Sequence, residues 1–154
     1  MPEISSARSL HRLIYASECR LEGDWLEDAV AQIIETSVRN NRRVGVTGLL
    51  LVHAGWFIQA LEGPAEAVMT TYGRILNDRR HHQPSVLSAG PVGQRAFGDW
   101  HMCARTLTPA DDAILDTLNQ RSVFDPVKLN PDAALRLLVT VSGIKARAER
   151  EAIA

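Results

Sequence analysis

Apolar residues follow two different periods along this chain, and the switches between them predict its order of elements. Residues 10–17 alternate, with Leu13, Tyr15 and Ser17 on one side and Ile14 and Ala16 on the other, as a strand does. After them apolar residues recur in pairs at Trp25/Leu26, Ala29/Val30 and Ile33/Ile34, the period of a helix. Asp24 is its expected N-cap, and Glu27 three residues on completes a capping-box-like pair. Apolar runs over 44–52 and 56–61, joined at His53-Ala54-Gly55, predict a hairpin. Gly63-Pro64 opens a second helix, with proline in its first turn and Val68, Tyr72, Ile75 and Leu76 on one face. Two more strands are expected over 86–92 and 100–107. Pro84 and Pro91 argue for edge positions or breaks there.

This order, β-α-β-β-α-β-β, predicts an α+β fold with a ferredoxin-like sheet and two helices on one face. A sheet with one wet face would alternate throughout. Leu49, Leu50, Leu51 and Val52 do not, so something must cover the second face. The C-terminal segment is expected to do so as a helical cap. Thr108-Pro109 opens one helix bearing Ile114, Leu115 and Leu118, and Asn130-Pro131 opens another bearing Leu135, Leu137, Leu138 and Val141. The expected organisation is a core domain over 9–107, a two-helix cap over 108–144 and a charged, disordered tail over 145–154.

Composition narrows the function. At 154 residues the chain fits one domain plus an appendage. With 17 basic and 18 acidic residues, there is no electrostatic reason to expect a nucleic-acid or anionic-membrane partner. Two cysteines are too few for a disulfide framework. The N-terminus does not read as a signal peptide and no apolar run reaches membrane-spanning length, which points to the cytoplasm. His101-x-Cys103 offers two metal ligands without a partner cluster, which does not make a site.

Several polar residues stand where apolar ones are expected. Gln59 sits inside an apolar strand, and a buried amide costs free energy unless its donors and acceptors find partners. It is either a core glutamine satisfied by backbone or a contact for something polar that docks there. Asn41 follows Ser37 by four residues on the apolar face of the first helix. It is either a C-cap or, with Asn40 beside it, a ligand contact. Asp78-Arg79-Arg80-His81-His82 is either a solvated helix end or a phosphate contact.

These residues carry a resemblance. The segments Tyr15-Ala16-Ser17, Arg39-Asn40-Asn41, Val46-Thr47-Gly48-Leu49-Leu50, Phe57-Ile58-Gln59-Ala60-Leu61-Glu62-Gly63, Asp78-Arg79-Arg80-His81 and Phe97-Gly98-Asp99-Trp100-His101-Met102 occur in that order over roughly 9–105. In this the chain resembles a BLUF domain, the blue-light sensor that uses a flavin. The tail resembles the helical cap of short BLUF proteins without a fused enzyme. The resemblance implies a photoreceptor with no catalytic output, binding FAD, or else FMN or riboflavin, non-covalently. It implies that Tyr15 is the photoactive electron and proton donor and Gln59 the switching amide. Asn40, Asn41, Gln59, Arg80 and His81 would contact the flavin, the last two on its ribityl-phosphate side. Ser17, Trp100 and Met102 would relay the signal. The implied partners are the flavin, other copies of the chain in a dimer or larger ring, and a downstream effector protein.

Two other functions use the same architecture. An RNA-binding domain would present Tyr15 and Phe57 as stacking residues, but it needs a basic, open sheet face and an Arg/Lys-Gly-Phe-type motif. An acylphosphatase-like enzyme would need a glycine-rich anion loop after the first strand, of which Cys19-Arg20-Leu21-Glu22-Gly23 is a poor version.

Overall fold

The computed structural model describes residues 9–107, 111–118, 120 and 123–153. Its elements are β1 (Leu10–Cys19), α1 (Gly23–Val44), β2 (Thr47–His53), β3 (Trp56–Pro64), α2 (Ala65–Leu76), β4 (His81–Pro91), β5 (Ala104–Thr106), α3 (Asp112–Thr117) and α4 (Pro131–Ile153). The strands form one sheet in the order β4-β1-β3-β2-β5. Neighbours are antiparallel except β5, which runs parallel to β2. This is the expected α+β, ferredoxin-like arrangement with a fifth strand added.

Both faces of the sheet are buried, which explains why the hairpin does not alternate. Ile14, Ala16, Leu49, Leu51, Ile58 and Ala60 pack against Leu115 of α3 and Ala134, Leu137, Leu138 and Val141 of α4. Leu13, Tyr15, Leu50, Val52, Phe57 and Leu61 face α1 and α2, meeting Val68 and Tyr72. Each buried large apolar side chain contributes about 1.5–3 kcal/mol, so the C-terminal helices are part of the core. An RNA reader's open face is therefore missing, because Tyr15 and Phe57 lie beneath α1 and α2.

The termini of the elements follow local chemistry. Gly45, at φ 76°, ends α1 in the left-handed conformation and its N–H donates to the Asn41 carbonyl. Asn41 is thus inside the helix and is not its cap. The helix begins two residues earlier than expected, with Glu22 at the N-cap and no side-chain capping bond; Asp24 lies in the first turn. The β2–β3 turn has both central residues at positive φ, Ala54 at 50° and Gly55 at 83°, as a type I′ hairpin requires. Asn130 caps α4, its Oδ1 accepting from the Ala133 N–H at 2.8 Å, and Pro131 is the first helical residue.

Several expectations need correction. Val44 closes α1 and does not open β2. Trp25 is 78% exposed and Leu76 49%, so neither belongs to its helix's apolar face. β4 starts at His81, and Pro84 sits inside it; the strand tolerates proline because it is an edge strand, with a register irregularity where Gln83 takes a φ of 53°. The fifth strand spans only Ala104–Thr106, and Trp100, His101 and Met102 precede it as a bent segment. The tail from Lys145 is helical to Ile153, a continuation of α4. The helix opening expected at Thr108-Pro109 lies outside the described residues. Among the described residues no helix is long and apolar enough to cross a membrane.

Candidate functional site

The site forms where β1 and β3 pair beneath α1 and α2. Antiparallel register sets Tyr15 directly opposite Gln59. Both side chains point to the α1/α2 face and are buried. The Tyr15 hydroxyl donates to Gln59 Oε1. The other end of the amide donates from Nε2 to Met102 Sδ at 3.3 Å. Among the described residues Gln59 is therefore satisfied by two side chains and by no backbone group. One of its two N–H groups is left over.

A cleft of about 210 Å³ opens beside this pair. Ile33, Leu61 and Ile75 give it apolar walls, and Ser37, Asn40, Asn41 and Gln59 give it a polar edge. An inner recess continues to Tyr15, Phe57 and His81. Arg74 and Arg80 also line the cleft. Asn41 is buried and donates from Nδ2 to the His101 carbonyl at 2.7 Å. Its Oδ1 accepts no hydrogen bond among the described residues. This lining suits a flat, largely apolar ring with donors and acceptors along one edge.

Electrostatics keep the tyrosine neutral. Burial, helped by Tyr72 and the Asp78 carboxylate, raises the Tyr15 phenol well above its ordinary value. Its ring packs against that of Tyr72, with centroids 5.3 Å apart. Asp78 is held below the usual carboxylate range by hydrogen bonds from Arg80, whose Nε lies 2.9 Å from Oδ1. Arg80 thus reaches the cleft already engaged. His81 is turned inward: Nδ1 meets Ser17 Oγ at 2.6 Å and Nε2 meets the Ile75 carbonyl at 2.8 Å. Both ring nitrogens are thus engaged within the protein. Ser17 is fully buried and reaches the site through this histidine.

Trp100 and Met102, two residues apart, go to opposite sides of the sheet. Met102 is buried with Tyr15 and Leu50 under α1. Trp100 packs with the C-terminal helices and donates from Nε1 to Glu149 Oε1 at 2.8 Å. A larger hollow of about 950 Å³ lies beyond Met102, between α1, β5 and α4. It is separate from the cleft that ends on Gln59.

One cluster escaped the sequence reading. Glu62 is fully buried and accepts from Arg12 Nε at 2.6 Å and from the N–H groups of Ala96 and Phe97. Arg95 bonds Thr47 Oγ1, the Glu62 carbonyl and the Gly45 carbonyl. Together they clamp the 95–97 loop to the sheet and deliver Trp100–Met102 to β2. The glutamate in an apolar strand was the available signal. At the other end of β1, Arg20 bonds His82 Nδ1 at 2.8 Å, so the loop has no free arginine of the acylphosphatase kind.

The family model for sensors of blue light using FAD matches residues 10–103. The photoactivated adenylate cyclase subunit beta of Euglena longa is 33% identical over 98 residues, which is 64% of this chain and 11% of that protein. The chain thus spans about a tenth of the length of the curated relatives it matches. BlrB, a BLUF protein solved in its dark state, superposes with a TM-score of 0.71 at 26% identity, covering 89% of this chain and 98% of its own. BlsA in its photo-activated state shares the fold at a TM-score of 0.79 and 23% identity, over 86% of this chain and 94% of its own. With the matched segment covering every strand up to β5 and both helices of the cleft, the chain belongs to the BLUF family of flavin-based blue-light sensors.

Proposed function

We propose that this protein is a blue-light photoreceptor that holds FAD in the α1/α2 cleft and switches through Tyr15 and Gln59. The observation that carries the reading is the buried chain Tyr15–Gln59–Met102, which ends the cleft. The residues suit a flavin. Ile33, Leu61 and Ile75 can sandwich its ring. Gln59, Asn41 and Asn40 can meet the ring's polar edge, and Arg74 with Arg80 can meet the phosphates.

A bound flavin supplies absorption of blue light and, once excited, a one-electron oxidant. Tyr15 supplies an oxidisable phenol that keeps its proton in the ground state, because burial opposes the phenolate. Its proton already points at Gln59 Oε1, so loss of an electron from the ring drives that proton along an existing hydrogen bond. Gln59 then has two ways to rearrange. Rotation of the amide exchanges the end that faces Tyr15 with the end that faces Met102, whereas tautomerisation leaves each end where it is and changes only which one carries the protons. A thioether carries no proton and can only accept. An amide oxygen turned toward Met102 would lose the contact that the N–H makes now. Met102 is released, and the bent segment that also carries Trp100 is freed to move.

That segment connects to output. Trp100 is tied to Glu149 on α4, so a shift of the segment changes how α4 and α3 pack on the sheet. In this reading the sensor works in the cytoplasm as a homo-oligomer and passes its signal to an effector protein docked on the outer faces of these helices. Purified protein is expected to be yellow, and chromatography of the cofactor released by denaturation is expected to give FAD. A colourless protein that no flavin reconstitutes would defeat the reading.

A further inference from the structure

We propose that Gly48 is a positioning residue of the switch: its missing side chain makes the room in which Met102 meets Gln59. The inference rests on Gln59 being the switching amide. Gly48 lies in β2 on the α1/α2 face, two residues before Leu50, which pairs with Gln59. Its φ is not in the left-handed region, so the backbone there is open to any residue. What forbids a side chain is space. A Cβ at this position would stand 2.9 Å from Met102 Cε and 2.0 Å from the Ala60 carbonyl oxygen. The first contact closes the volume that the Met102 methyl fills. The second pushes on the residue that follows Gln59.

The same glycine holds the bent segment down. Its N–H donates to the Trp100 carbonyl at 3.0 Å, and the Leu50 N–H donates to the Cys103 carbonyl at 2.8 Å. The main chain from Trp100 to Cys103 therefore lies flush on the β2 edge, and Met102 drops into the gap above Gly48. A methyl group at 48 narrows the gap from one side and, by overlapping the Ala60 carbonyl oxygen, pushes β2 and β3 apart from the other. The Met102 methyl, at the end of three rotatable bonds, then has to shift, and we expect the contact between the Gln59 N–H and the sulfur to weaken with it. Gly48 thus selects which side chain of the segment can sit against the amide.

Methionine methyl NMR tests this directly, because the chain has only three methionines and Met69 is an exposed residue of α2. In the dark wild type, with Met102 assigned by Met102→Leu, the Met102 methyl is expected to show a nuclear Overhauser contact to the Gly48 α-protons. Gly48→Ala should lose flush packing, displace that methyl resonance and alter the dark flavin band. Gly90→Ala, in an edge strand with open space around it, should change neither. A Gly48→Ala protein with a wild-type Met102 resonance and flavin band would overturn the proposal. Should that variant fail to fold, the wild-type contact decides: its absence overturns the proposal, and its presence supports it. A wild type with no light-induced band shift would instead overturn the photoswitch reading, while the dark Met102 contact still tests the role of Gly48.

Discussion

Gln59 donates from Nε2 to the Met102 sulfur across 3.3 Å, and through this contact a buried amide in the middle of the sheet is joined to a segment with no regular structure. The segment's main chain is held by β2 and by Asn41 on the His101 carbonyl, and its side chains reach out through the His101 ring to the Val46 carbonyl at 3.0 Å and through Trp100 to Glu149. The contact therefore sits where a small change in the amide can move a whole segment.

Met102→Ala removes the flexible thioether and keeps Tyr15 and Gln59. We expect a reversible red shift to persist and the change at α4 to be blunted. Hydrogen exchange in light and darkness is the check. Wild-type protection should change in 100–106 and in α4, and the variant should lose the α4 part. Changes confined to the neighbourhood of Gln59 in the wild type would contradict this route.

Asn41→Ala leaves the His101 carbonyl without its donor and strips the cleft of a buried amide. The loss is expected to cost about 1–3 kcal/mol of flavin retention. Equilibrium titration of the stripped protein with FAD measures it. An unchanged dissociation constant would remove Asn41 from the binding set.

The order of strands and helices was readable because most segments are strictly periodic, and the unalternating Leu49–Leu50–Leu51–Val52 run rightly demanded cover on both faces. The charged residues after Lys145 looked like a frayed tail, yet Glu149 has a specific partner in Trp100 that lies 49 positions away, which local charge pattern cannot reveal. Trp25 fits the helical period but falls on its outer edge, where a two-residue apolar pair always leaves one member ambiguous. Trp100 and Met102 have the spacing of one strand face, so alternation predicts that they point the same way. They diverge because the segment is bent before β5 begins. Gln59 and Asn41 stood out as polar residues in apolar surroundings. Gly48 did not, because the contacts that need its lack of a side chain come from Ala60 and Met102.

Glu62→Ala is expected to destabilise the fold by about 3–5 kcal/mol, because it leaves the Arg12 charge without its partner and strips the Ala96 and Phe97 N–H groups of their acceptor. Urea unfolding followed by far-ultraviolet circular dichroism gives the value. A loss below about 1 kcal/mol, the range of an exposed ion pair, would show that the clamp on the 95–97 loop is not structural.

The raised pKa of Tyr15 has a fixed sign. The native state keeps a proton that the unfolded chain sheds near the ordinary tyrosine value of about 10, so the unfolded state binds fewer protons above that pH. The contribution is full below it and is lost as pH rises beyond it. Asp78 acts in the opposite direction, its contribution present above the ordinary carboxylate range and lost as pH falls toward its lowered native value. In a Tyr72→Phe background Tyr15 is the sole tyrosine. Ultraviolet titration should then show no tyrosinate until the protein unfolds. A native ionisation step at the ordinary value would contradict the burial argument.

The central claim is that Tyr15 drives the switch through Gln59, and the light-minus-dark absorption spectrum of Tyr15→Phe tests it most directly. The variant keeps the ring that packs on Tyr72 and loses only the hydroxyl that donates to Gln59. We expect it to fold, to hold its flavin and to show no reversible red shift under blue light, with Gln59→Leu also binding flavin and failing to reach the normal shifted state. A Tyr15→Phe protein with the wild-type difference spectrum would contradict the account.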